Sequence, residues 1–86
     1  MQIEDEIQRY IAENLLFSDH YPYGPDASFL REGVLDSMGV MELVTYVTTA
    51  FRVQIDPQDV TPENFDSVNR LAQFIRRRQA QMAGKA

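Results

Sequence analysis

The chain has no cysteine, no tryptophan and a single histidine, and only four glycines and four prolines among its 86 residues. Without cysteine there is neither a disulfide framework nor a thiolate metal site, and any thioester chemistry requires a thiol supplied by a prosthetic group. The lone His20 provides no His cluster for a transition metal and one candidate base for nucleophilic catalysis. No apolar run is long enough to span a bilayer. The opening Met1-Gln-Ile-Glu-Asp-Glu is acidic where a signal peptide is basic and then apolar. A cytoplasmic protein is expected. Residues 1–86 make one small domain with a modest core, room for one binding surface and little room for a deep catalytic cleft.

Acidic residues are missing from the last twenty positions. Residues 67–86 carry Arg70, Arg76, Arg77, Arg78 and Lys85 with no Asp or Glu, a net +5, whereas residues 1–66 hold all thirteen acids against three arginines, a net −10. The acidic body of the domain is expected to attract basic partners. The basic end has the charge of a nucleic-acid contact, but cations in the last turns of a helix also complement its dipole, and no aromatic or glycine motif accompanies them. Nucleic acid is therefore not expected as a partner.

What is present is helical periodicity. Ile3, Ile7, Ile11 and Leu15, with Tyr10 beside them, mark one face of a helix over residues 2–16, with Glu4, Asp5 and Glu6 at its positive end. Residues 17–36 contain Pro22, Gly24, Pro25 and Gly33 and no sustained period, so they read as a loop, with Phe29, Leu30, Val34 and Leu35 available to pin it. A second helix is predicted over 37–51, where Val40, Leu43, Val44, Val47, Ala50 and Phe51 share an arc of roughly 120° facing the core. Asp56-Pro57 opens a short helix at 57–61, stopped by Thr61-Pro62. Asp66 or Ser67 caps a last helix over 67–82, whose buried stripe is Val68, Leu71, Ala72, Phe74 and Ile75, with Met82 at its end. The predicted class is all-α: a small four-helix bundle of three main helices and one short one, with a long first connection.

Asp36-Ser37-Met38-Gly39 is the most informative stretch. It sets a hydroxyl behind an acid at a helix start, where free backbone N–H groups and the helix dipole favour an anion such as a phosphate ester. Asp and Ser are also the commonest N-caps whatever a protein does, so the dipeptide taken alone is most often a cap. Met38, Met41 and Glu42 share the solvent arc beside Ser37. Methionine suits adaptable protein contacts, and satellite packing over the long loop is the alternative. A serine enzyme would need His20 to activate Ser37, yet there is no Gly-x-Ser-x-Gly elbow and nothing brings the two residues together. The pairs Asp26/Glu32 and Asp56/Asp59 read as turn and cap residues. No catalysis by this chain and no metal site are expected.

The run from Asp26 to Val44, continuing through Phe51 into Asp56-Pro57 and Thr61-Pro-Glu-Asn-Phe-Asp-Ser-Val68, resembles the acyl and peptidyl carrier proteins over about residues 26–78. The resemblance implies the carrier fold and a 4′-phosphopantetheine arm on Ser37. It also implies a role for Asp36 in recognition and in metal-assisted attachment by a phosphopantetheinyl transferase. Met38, Met41 and Glu42 match positions that meet partner enzymes. Glu42 is present, but Thr45, Thr48 and Thr49 stand where fatty-acid carriers are rich in Glu, and Gly39 replaces a common acid. The chain is thus closer to free-standing carriers of specialised pathways. The expectation is a monomeric acyl carrier holding its cargo as a thioester and serving loading and acyl-accepting enzymes. An aminoacyl or D-alanyl carrier loaded by an adenylate-forming ligase is the alternative, and an unmodified helical adaptor is the reading from another class.

Overall fold

The computed structural model describes residues 2–83; Lys85 lies outside them. Four α-helices run in chain order: α1, Ile3–Tyr10; α2, Ser37–Phe51; α3, Pro62–Phe65; and α4, Val68–Ala83. The first helix is shorter than its periodicity predicts. After Tyr10 its last turns widen into a π segment, Ile11–Leu15, in which Leu16 N–H donates five residues back to the Ile11 carbonyl at 2.9 Å. The extra residue per turn ends in Phe17, which takes a left-handed φ of 53° while Ser18 N–H closes on the Ala12 carbonyl at 2.8 Å. Such a left-handed residue is a normal way to satisfy the last carbonyls of a helix, but it is normally glycine.

The core is built where the apolar faces of α1, α2 and α4 meet. Ile7, Ile11, Leu43, Val47, Leu71 and Ile75 are all fully buried there, with Phe29 inserted from the long loop. Tyr10 stacks on Tyr46, centroids 4.0 Å apart, and so joins the end of α1 to the middle of α2. Within the predicted core arc of α2, Val40, Val44 and Phe51 are only half-buried and Ala50 is exposed. The fully buried arc of the helix is thus narrower than expected, reduced to Leu43 and Val47. Leu30 does not pin the loop; it is exposed, whereas Phe29, Val34 and Leu35 are buried. Met82 is exposed as well, since α4 extends past the core.

The short helix expected at 57–61 is a single 3-10 turn, Pro57–Asp59, and Thr61-Pro62 starts α3 instead of merely stopping its predecessor. Pro at a first helical position needs no N–H, which is why the breaker opens a helix here. The choice between Asp66 and Ser67 as cap is resolved by geometry. Ser67 Oγ accepts Arg70 N–H at 3.1 Å, while Asp66 turns to the loop.

The basic end of α4 is spent inside the molecule. Arg70 donates to the Pro62 carbonyl, Arg76 makes a two-pronged pair with Glu4 at 2.7 and 2.8 Å, and Arg77 donates to Asn64. Arg78 pairs with Asp59 at 2.6 Å and lies over the Phe74 ring. The Arg76 hydrogen bond holds the Glu4 carboxyl below its usual range. These arginines tie α4 to α1, to α3 and to the 3-10 turn.

Candidate functional site

The start of α2 is fixed from both sides. Before it, the long loop is fastened to the α3–α4 junction: Asn69 N–H donates to the Pro25 carbonyl, and Asn69 Nδ2 donates to Asp26. Asp66 receives Ser28 Oγ–H at 2.5 Å and Leu30 N–H at 3.1 Å on its carboxylate, and Phe29 N–H at 2.8 Å on its carbonyl. Ser28 then caps a single turn that ends at Gly33, whose φ of 68° lies in the left-handed region that favours glycine. Val34 and Leu35 bury themselves next, and the chain reaches Asp36 in an extended conformation.

Asp36 is the N-cap of α2. Its Oδ1 accepts Gly39 N–H at 2.8 Å and its carbonyl accepts Val40 N–H at 2.9 Å. A side chain at Gly39 would press on this cap, since a Cβ there would sit 3.3 Å from Leu35 Cδ2 and 3.4 Å from Asp36 Oδ1. Ser37 is the first residue of the fifteen-residue helix, and its side chain is exposed. The N–H groups of Ser37 and Met38 have no intrahelical acceptor by helix geometry, so a negative diester on the Ser37 hydroxyl would sit at the positive end of the dipole. The residues present fit an anchored phosphopantetheine.

The predicted contact residues Met38, Met41 and Glu42 are all exposed. Met38 and Glu42 line a groove of about 530 Å³ beside Asp36 and Gly39, closed on the far side by Leu15 and Phe17. Met41 belongs to a different depression, with Val44, Ile55, Pro57 and Val60. At 100° per residue, Met41 and Met38 lie about 60° apart, so they stay neighbours on the helix surface while bordering different depressions. Glu42 lies near the end of α1. The Tyr10 phenol is pushed up first by burial and second by that carboxylate. Thr45 and Thr48 turn their hydroxyls back onto the Met41 and Val44 carbonyls.

Phe17 is the feature the sequence reading missed. It is 86% exposed, yet it directly follows the apolar periodicity of the first helix. A bulky residue at a helix end without a following glycine was the available signal. His20 is exposed on the loop and does not line the groove beside Asp36. Asp59 accepts both Asp56 N–H and Arg78 as a turn and ion-pair residue. Among the described residues no group of three or more His, Cys, Asp or Glu is placed to hold a metal ion, and no helix is long and apolar enough to cross a membrane.

Comparison with known proteins agrees with this geometry. Residues 5–75 match the family model described as phosphopantetheine attachment site. An acyl carrier protein of Desulforapulum autotrophicum is 31% identical over 78 residues, covering 91% of this chain and 99% of its own. A D-alanyl carrier protein of Lactococcus lactis subsp. cremoris is 27% identical over 62 residues, covering 72% of this chain and 78% of its own. An exposed serine capped by an acid at the start of α2, a cysteine-free helical fold and a family match across most of its length lead to one conclusion: the chain belongs to the phosphopantetheine-attachment family of carrier proteins.

Proposed function

We propose that Ser37 carries the 4′-phosphopantetheine arm and that the protein holds an acyl group on it as a thioester for cytoplasmic partner enzymes of a specialised pathway. The observation that carries this reading is the exposed Ser37 hydroxyl at the first position of α2, directly behind the Asp36 cap. In attachment from coenzyme A, Ser37 Oγ forms a bond to phosphorus, the pyrophosphate P–O bond breaks, adenosine 3′,5′-bisphosphate leaves, and the serine proton passes to a base of the transferase. The bound arm supplies the terminal thiol that the polypeptide lacks. The chain's own part is to present one hydroxyl at a rigid helix start; no catalytic group of its own is assigned.

Asp36 has two uses in this account. One oxygen holds the cap, and its charge contributes to recognition by the transferase and to the metal-assisted chemistry there. Met38, Met41 and Glu42 are partner contacts on the exposed side of α2, with Met41 also bordering the depression beside Ile55 and Val60. Acyl cargo is placed first because the acyl carrier relative matches nearly the whole chain at higher identity. The D-alanyl relatives, together with the single acid along α2, support aminoacyl cargo as the second reading. Loading of the arm-bearing protein distinguishes them. Acyl cargo predicts a mass gain with an acyl-transferring enzyme, and aminoacyl cargo predicts one with an adenylate-forming ligase, ATP and an amino acid. An unmodified mass in the native host would return the helical adaptor.

A further inference from the structure

We infer that Phe17 is a docking contact for the phosphopantetheinyl transferase, seated in an apolar recess of that enzyme while Ser37 is modified; this rests on the reading of Ser37 as the attachment site. Three independent observations meet at this residue. Phe17 is 86% exposed, the most exposed large apolar side chain among the described residues. Its φ of 53° is a conformation that non-glycine residues adopt at a cost, so a bulky ring here adds strain and gains little burial in the free protein. It also borders the groove that Asp36, Met38 and Gly39 line, so both chain neighbours of Ser37, one of them the helix cap, share that groove with the ring.

Violations of local sequence rules that have no packing benefit concentrate at functional surfaces. Here the ring borders the same groove as Asp36 and Met38, the two chain neighbours of the hydroxyl that the transferase must reach, and an enzyme that binds Ser37 in its active site lies next to this groove. Charge selects the same occupant. The lining includes two carboxylates, Asp36 and Glu42, and no cation. An enzyme that binds the phosphates of coenzyme A next to the acceptor serine carries cationic groups at that rim. An aromatic knob flanked by acids therefore faces an apolar recess flanked by cations, the arrangement of a buried anchor within a polar rim.

The test measures initial rates of arm transfer from coenzyme A by a phosphopantetheinyl transferase, with the concentration of the unmodified protein varied. Phe17→Gly should raise KM about ten-fold with kcat changed less than about two-fold, because the ring contributes to docking and not to the reacting atoms. The melting temperature of this variant should be unchanged or higher, since glycine relieves the left-handed strain. Phe17→Leu, which keeps an apolar knob, should recover most of the wild-type KM. An unchanged KM in Phe17→Gly overturns the inference while leaving Ser37 as the attachment site, and so does a marked fall in its melting temperature, which would make the ring a packing residue. Concentration-dependent dimerisation of the wild type that Phe17→Gly abolishes would also overturn it, by giving the ring to a second copy of the chain. No arm on the wild-type protein overturns both readings together.

Discussion

Ser28 donates its hydroxyl to Asp66 Oδ2 at 2.5 Å across thirty-eight residues of chain, and this contact fastens the long loop to the start of the last helix. The other carboxylate oxygen takes Leu30 N–H, so one half-buried side chain satisfies two donors. Asp66→Ala should lower stability by about 1.5–3 kcal/mol in urea unfolding, as expected for losing charge-assisted bonds that leave donors unpaired. Ser28→Ala should cost about 1 kcal/mol. A loss in Asp66→Ala no larger than that of a surface substitution would show that the loop is held by Phe29 alone.

Tyr21 makes the fold sensitive to alkali. Among the described residues its buried hydroxyl has no hydrogen-bond partner, and burial, followed by the nearby Tyr23, pushes its pKa up to about 12. A phenol whose pKa is raised in the folded state binds its proton more tightly there than in the unfolded chain. Ionising it therefore costs the fold nothing below pH 10 and progressively more stability as pH rises from 10 towards about 12. Tyr21→Phe should melt no lower than the wild type at neutral pH, because it removes an unsatisfied buried group, and its stability should decline less steeply between pH 10 and 12. Thermal melts at a series of pH values check both effects. A clear loss at neutral pH would reveal a partner for the hydroxyl.

The two sides of α2 should separate stability from recognition. Leu43 is fully buried, so Leu43→Ala should cost about 2–5 kcal/mol. Met41 is 60% exposed, and Met41→Ala should stay within about 0.5 kcal/mol while slowing transfer to or from partner enzymes. Val44 and Phe51, which the apolar period places beside Leu43, are half-buried and should fall between these limits. Denaturant titration combined with a transfer assay checks the ordering. Met41→Ala as costly as Leu43→Ala, with transfer intact, would place Met41 in the core.

Asp36→Asn separates charge from capping. Asparagine keeps a side-chain oxygen for the Gly39 N–H, so stability should change by less than about 1 kcal/mol. Attachment of the arm should slow far more than that change implies. Equal attachment rates for Asp and Asn would show that Asp36 is only a cap.

The parts of the fold that follow a single repeating rule were legible in the sequence. The three- and four-residue spacing from Val40 to Phe51 marks the α2 core face, and Asp36 before it marks the cap. The end of the first helix was not legible, because Ile11 and Leu15 keep the apolar period while the backbone widens to a π segment beneath them. Asp66 and Ser67 are interchangeable as caps by residue type, and only the long-range bond to Ser28 decides between them. At the site, Ser37 and Asp36 are local features that a sequence can show. That Met38 and Met41 border different depressions is not, because it depends on which neighbouring segments lie against each side of α2.

The attachment of one phosphopantetheinyl group to Ser37 is tested most directly by intact mass spectrometry after treatment with a phosphopantetheinyl transferase and coenzyme A. The wild-type protein should gain the mass of a single arm. Ser37→Ala should gain nothing while keeping its helical circular dichroism, because the Asp36 cap does not depend on the serine hydroxyl. A mass gain in Ser37→Ala, or none in the folded wild type, would contradict the account.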